Sequence, residues 1–408
     1  MSYAKALRCR KCGREYPLEA MNLCDFCLSP LDVTYDYQQV AKVLTRENLD
    51  NAPLSMWRYR DLLPTDGNEV DLGTGYTPLV KAGNLGRRLG LDQLYIKNDC
   101  LTPTYSFKDR VVSVAMTKAL EFGFETVACA STGNLAASVA AHAAKANLRA
   151  CVFVPSDLEL GKLVSAAIYN PTLVTVEGSY DDTNRLCAQL LQKYKWGFIN
   201  INLRPYYAEG SKTLAFEICQ QLGWRAPDCV VSPAASGLLF TRIWKGLQEF
   251  SMLGLVGQVN THMFVTQAAG SSPIVRAYEA GSVHINPVKP DTIARSIAIG
   301  NPADGYYALM VARQSGGGAC AVTDDEAISG VKLLAETEGI FTEPAGGVVI
   351  GSLAKLAAQG IIKKDDLVVA LITGAGPRTQ EILTGIVKAY RVQPTTESVA
   401  EVLGASVK

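Results

Sequence analysis

From about residue 92 onward the chain repeats one pattern: a short apolar run, a turn bearing glycine or serine, then an amphipathic segment. The apolar runs are Leu94–Lys97, Thr126–Ala130, Ala150–Val154, Leu173–Val176, Phe198–Ile201, Cys229–Ser232, His262–Gln267 and Val368–Ile372, each of strand length. Between them lie helix candidates such as Asp109–Phe122, Leu135–Ala146, Asp182–Tyr194, Ser211–Leu222 and Glu326–Glu338. Strands alternating with helices mean βαβ units and a mostly parallel sheet, so the fold class is α/β. Such sheets place ligands at the loops beyond the carboxyl ends of their strands. Those loops are where chemistry is to be sought.

With 408 residues the chain has room for two or three domains. Residues 1–37 form a Cys-rich, turn-rich head, and residues 38–70 carry little periodic signal. The last dozen residues, from about Thr395, are small and polar and are expected to fray. Lys plus Arg (39) balances Asp plus Glu (39), which argues against bulk electrostatic binding to nucleic acid or an anionic membrane. No apolar stretch reaches the roughly 18 residues of a membrane span, and the basic start lacks the apolar run of a secretory signal. Seven cysteines outside the head are scattered in apolar surroundings and read as reduced core residues. The expected compartment is the cytoplasm. Of the three histidines, none sits near a serine and carboxylate that would make a hydrolase triad.

Three strand-end loops and one helix start carry candidate chemistry. Lys108, in Ser106-Phe107-Lys108-Asp109-Arg110, stands where a helix begins. The partial positive charge of a helix N-terminus disfavours an ammonium, and a lysine with a lowered pKa is a nucleophile toward carbonyls. Ser131-Thr132-Gly133-Asn134 follows the run ending at Ala130 and supplies hydroxyls and an amide at another helix start. Pro233-Ala234-Ala235-Ser236-Gly237-Leu238-Leu239 is a turn of small residues whose amides can approach a phosphate. Thr373-Gly374-Ala375-Gly376 places a hydroxyl after the last strand. Taken singly, each also reads as ordinary: a surface lysine, an N-cap, a strand-to-loop turn.

Their order along the chain resembles that of the fold-type II pyridoxal-phosphate enzymes, the tryptophan-synthase-β-like family. Further stretches are similar to the threonine synthases: GTGYTPL (73–79), NLRPYYAEGSKTLAFE (202–217), SIAIGNPADG (296–305), LLAETEGIFTEPAGG (333–347) and ITGAG. The resemblance implies two lobes of open, mostly parallel sheet behind a zinc-ribbon-like head. Residues 38–100 would begin the large lobe, 101–204 form the small lobe, 205–395 complete the large lobe and 396–408 make the tail. It implies pyridoxal 5'-phosphate as cofactor, with Lys108 as the Schiff-base lysine and Asn134 on the phenolic oxygen. The backbone of Ala234, Ala235, Ser236, Gly237 and Leu238 would hold the phosphate, and Thr373 would face the pyridine nitrogen. It implies a phosphorylated amino acid as substrate, O-phosphohomoserine, converted with water to threonine and phosphate. Ser131, Thr132, Arg204 and Lys212 are the candidates for binding it. The implied assembly is a homodimer.

Two stretches depart from the family pattern. The phosphate turn reads Ala-Ala-Ser-Gly-Leu instead of a glycine- and asparagine-rich turn, and Thr373-Gly374-Ala375-Gly376-Pro377-Arg378 stands where relatives read TGNGLK. The second departure keeps an alternative open, a cysteate-synthase-like replacement enzyme acting on another phosphorylated amino acid. An adaptor built on an inactive body is a third reading, opposed by zero net charge and the intact Lys108.

The head holds Cys9-x2-Cys12 and Cys24-x2-Cys27, separated by eleven residues. Two such pairs match a closed tetrahedral zinc site of structural type. A disulfide pair or a metal-free remnant are the alternatives. The head is expected to stand apart from the catalytic loops.

Overall fold

The computed structural model describes residues 2–131, 133–381 and 388–406. The head is a three-stranded antiparallel sheet of β1 (Ala4–Cys9), β2 (Glu15–Tyr16) and β3 (Leu31–Tyr35), in the order β2-β1-β3. Next come β4 (Leu79–Lys81) and β5 (Gln93–Asn98). Then β6 (Thr126–Ala130), β7 (Arg149–Pro155), β8 (Thr172–Val176) and β9 (Gly197–Phe198) form a parallel sheet ordered β8-β7-β6-β9. Finally β10 (Cys229–Pro233), β11 (His262–Ala268), β12 (Gly318–Val322) and β13 (Leu367–Ile372) join β4 and β5 in a six-stranded sheet ordered β12-β11-β10-β13-β5-β4.

The central strands are apolar throughout because helices cover both faces. Every residue of β6, β10 and β13 is buried. In the large sheet Val368 lies beside both Leu94 and Cys229, and β4 alone runs antiparallel, on the edge. The architecture is thus the two-sheet α/β fold expected.

Several elements differ from the sequence expectation. The run Phe198–Ile201 keeps only Gly197–Phe198 as strand, since Ile201 N–H turns back to the Phe198 carbonyl and Asn202 Oδ1 accepts the Phe198 N–H. Strand β12, Gly-Ala-Cys-Ala-Val, escaped notice because its side chains are too small for an apolar signal. The small-residue turn leads into a long helix, Leu238–Met252, and a second long helix, Pro344–Ala358, had no counterpart among the helix candidates. The stretch read as a frayed tail contains a helix, Thr396–Ser406.

The loops after β6, β10 and β13 leave the carboxyl ends of their strands and converge with the start of helix Lys108–Glu121 on one cavity. Among the described residues, no helix is long and apolar enough to cross a membrane.

Candidate active site

The motif around Lys108 divides its labour. Arg110 is fully buried; its guanidinium donates to Asp99 (2.7 and 2.9 Å), Glu217, Thr77 and Thr213. Asp109 accepts the N–H and hydroxyl of Thr104, at 2.7 and 2.6 Å, and the hydroxyl of Ser138 at 2.7 Å. These two charged residues pin the helix start from beneath. Lys108, just ahead of them in sequence, points into the cavity with its Nζ 3.1 Å from the Tyr207 hydroxyl.

Burial pushes the Lys108 ammonium down from its ordinary value of 10.5 to about 8, with the Glu343 carboxylate pulling the other way. The sequence reading assigned this depression to the helix N-terminus. Loss of water around the buried ammonium is its largest cause.

Asn134 begins helix Asn134–Lys145, and its carboxamide is anchored on both sides. Nδ2 donates to Glu343 at 2.9 and 3.1 Å, and Oδ1 accepts from Arg378 at 2.9 Å. Ser131 Oγ accepts the N–H groups of Gly133 and Ala136, both at 2.9 Å, which fixes the loop from below while Ser131 still lines the cavity. Thr132 lies outside the described residues. Thr373 lines the cavity, its carbonyl accepting the Phe107 N–H at 3.0 Å. Its hydroxyl has no hydrogen-bond partner among the described residues.

The turn Ala234–Leu238 also lines the cavity. Ala234 N–H is already bonded to the Thr266 carbonyl at 2.9 Å, so this amide cannot serve an anion, contrary to expectation. The amides of Ala235, Ser236 and Gly237 have no partner among the described residues, and they precede the N-terminus of helix Leu238–Met252. Gly237 has φ +90°, and a Cβ there would lie 2.9 Å from the Asp304 carbonyl oxygen, so the turn requires glycine. Three free amides at a helix start are the donor set an anionic phosphate needs.

Of the expected substrate cations, Arg204 lines the cavity and is ion-paired with Asp304. Lys212 does not line it. Lys212 is completely buried, with Nζ 2.6 Å from Glu209 and 2.8 Å from Glu249, and serves the interior as their counter-ion.

Sequence reasoning missed three residues. Glu343, buried ahead of helix Pro344–Ala358, accepts from Asn134 and from Ser296 Oγ at 2.9 Å. A glutamate directly before Pro344, inside the TEPAGG stretch, was the available signal. Tyr207 and Arg378 carried none, because their contacts cross from one loop to another. Residues 374–378 do not line the cavity; Arg378 turns inward to Asn134.

In the head, all four sulfurs lie within 4.8 Å of one another, with Cys9–Cys27 at 3.4 Å and Cys12–Cys24 at 3.6 Å. A tetrahedron of zinc–sulfur bonds of about 2.3 Å spaces its sulfurs by about 3.8 Å. Disulfide sulfurs sit at about 2.05 Å, so these are four thiols poised around one point. The two turns match: Gly13 N–H donates to the Cys9 carbonyl and Leu28 N–H to the Cys24 carbonyl, at 3.1 and 3.0 Å, with φ +76° and +56°. Desolvation alone would raise the Cys24 thiol, but hydrogen bonds from Tyr16 and from backbone amides outweigh it and bring it to about 6. The donor set fits a soft divalent metal.

The head does not stand apart. Asn22 lines the cavity, the Glu19 carbonyl accepts from Tyr206 at 2.8 Å, and Arg10 reaches Asp304 at 2.8 Å.

Residues 70–374 match the family model of pyridoxal-phosphate dependent enzymes. Over 373 residues the chain is 40% identical to the threonine synthase of Methanocaldococcus jannaschii, covering 90% of this chain and 92% of that protein. It is equally identical to the Methanosarcina acetivorans threonine synthase over 371 residues, 90% of this chain and 91% of that one. The chain belongs to the threonine synthases.

Among solved structures, the diaminopropionate ammonia lyase of Escherichia coli superposes with a TM-score of 0.65 at 19% identity, over 86% of this chain and 92% of that one. The processed threonine deaminase isoform 2 of Solanum lycopersicum gives 0.64 at 22%, over 76% and 84%. At such identities the likeness concerns the fold alone. The protein is therefore a pyridoxal-phosphate enzyme of fold type II with a Cys-rich head.

Proposed function

We propose that the protein converts O-phosphohomoserine and water to threonine and phosphate. One observation carries the assignment of its parts: a depressed lysine, Lys108, shares a cavity with Asn134, Thr373 and three free amides at a helix start. Bound there, pyridoxal phosphate supplies an electron sink for substrate carbanions. The free amides of Ala235, Ser236 and Gly237 hold its phosphate. Asn134 offers its carboxamide to the phenolic oxygen, and Glu343 and Arg378 hold that carboxamide in place. The Thr373 hydroxyl meets the pyridine nitrogen as a neutral partner. Lys108 is placed to move protons between neighbouring substrate carbons, with the Tyr207 hydroxyl steering its Nζ. Arg204 and Ser131 face the substrate's phosphate.

Residues 374–378 do not line the cavity and Arg378 bonds to Asn134, so the altered loop lends the cysteate-synthase-like alternative no support. The same reading carries a cytoplasmic homodimer with no nucleic-acid partner and one structural zinc on Cys9, Cys12, Cys24 and Cys27. Purified protein given O-phosphohomoserine should release phosphate and threonine in equal amounts. Phosphate without threonine would sink the assignment. Borohydride reduction of the loaded protein should leave the cofactor on the peptide containing Lys108.

A further inference from the structure

We propose that the Cys-rich head is a working wall of the substrate site, with Arg10 as the standing counter-ion that lets Arg204 leave Asp304 for the substrate's phosphate. The inference rests on the phosphorylated substrate proposed above.

Asp304 is the hub. Its side chain is 1% exposed and holds two guanidinium groups, Arg10 on Oδ1 at 2.8 Å and Arg204 on Oδ2. Its backbone is tied to the cofactor-phosphate turn: Asp304 N–H donates to the Ser236 carbonyl at 2.9 Å, and a Cβ at Gly237 would lie 2.9 Å from the Asp304 carbonyl oxygen. The two arginines are held differently. Arg10 sits in the turn between Cys9 and Cys12. Its N–H bonds to the Pro30 carbonyl at 3.1 Å, its Nε lies 3.6 Å from Asp32, and its guanidinium stacks 3.7 Å from the Tyr307 ring centroid. Arg204 lines the cavity and has, among the described residues, no ion partner but Asp304.

A buried carboxylate stripped of its cation is strongly disfavoured. If Asp304 had Arg204 alone, turning that arginine toward a phosphate would strand the carboxylate. Arg10 removes this obstacle, and its own position is set by the turn that the thiolates close. Asn22, two residues before Cys24, reaches the same cavity from the second turn. The head therefore positions the substrate's phosphate site although it donates no reacting atom.

The test uses full-length loaded enzyme, with steady-state kinetics on O-phosphohomoserine and inorganic phosphate as inhibitor. Arg10→Ala should raise KM and the phosphate inhibition constant by about tenfold or more, with kcat within about threefold and cofactor absorbance retained. Arg10→Lys keeps a cation on Asp304 and should stay within about threefold of wild type in KM. The decisive variant combines Arg10→Ala with Asp304→Asn: with no charge left to strand, KM should return to within about threefold of wild type. Arg10→Gln carries the same expectation as Arg10→Ala and stands in if the alanine variant does not fold. A KM within about twofold in the folded single variants overturns the proposal, and so does a rise that Asp304→Asn fails to reverse. A wild-type enzyme that releases no phosphate sinks the reaction assignment instead. Calorimetric titration of the loaded protein with inorganic phosphate then still reads the effect of Arg10.

Discussion

Lys108 should behave as an amine that is substantially neutral near physiological pH. The fall from 10.5 to about 8 disfavours its ammonium by roughly 3 kcal/mol. At pH 7.5 about a quarter of the side chains would then be neutral, against about one in a thousand for an ordinary lysine, an enrichment of about 200-fold. The neutral amine is the form that attacks an aldehyde, so capture of pyridoxal phosphate by cofactor-free protein should speed up with pH and level off above about pH 8. Stopped-flow absorbance on mixing gives this profile directly. Glu343→Gln removes the carboxylate that supports the ammonium, so the midpoint should move lower still. Stability must follow with a defined sign. The folded-state pKa is depressed, so between about pH 8 and 10.5 the unfolded chain binds the extra proton, and stability rises with pH across that window. Lys108→Met should lack that rise in denaturant titrations. A capture midpoint near 10, or one that Glu343→Gln moves upward, would refute the reasoning.

Thr373→Val keeps the shape of the strand end and removes the hydroxyl; turnover should fall by about tenfold while cofactor affinity changes less, read by activity and by absorbance titration. Arg110→Met strands Asp99 in the interior and leaves Glu217 with Lys97 alone, and should cost about 3–5 kcal/mol in denaturant unfolding. Replacing Cys9 and Cys27 by serine should release the zinc, measured by metal analysis. Because Arg10 and Asn22 follow from those turns, KM for O-phosphohomoserine should rise while the cofactor remains bound.

How much of this was legible beforehand depended on the range of the physics involved. Apolar runs bounded by small turn residues are local signals, so the strands Thr126–Ala130 and Cys229–Pro233 and the loops that follow them stood out in the sequence. Parallel topology followed, since strands separated by helices cannot pair as hairpins. Lys108, Asn134 and Thr373 lie in such loops, and the α/β pattern together with family resemblance located them. Charge partners are another matter, because a Coulomb contact ignores sequence distance. Nothing in the stretch NLRPYYAEGSKTLAFE distinguishes Arg204, which lines the cavity, from Lys212, which is buried against Glu209 and Glu249. Glu343 meets Asn134 across 209 positions, and Arg10 meets Asp304 across 294. Likewise the Ala234 amide was lost to Thr266 of a neighbouring strand, a pairing settled by sheet register. The α/β alternation, the four thiols and the loops that line the cavity were legible in the chain alone, because each is written in neighbouring residues. Only the tertiary structure decided which cations face the cavity and that the head is part of its wall, because those depend on which distant groups share one water-poor volume.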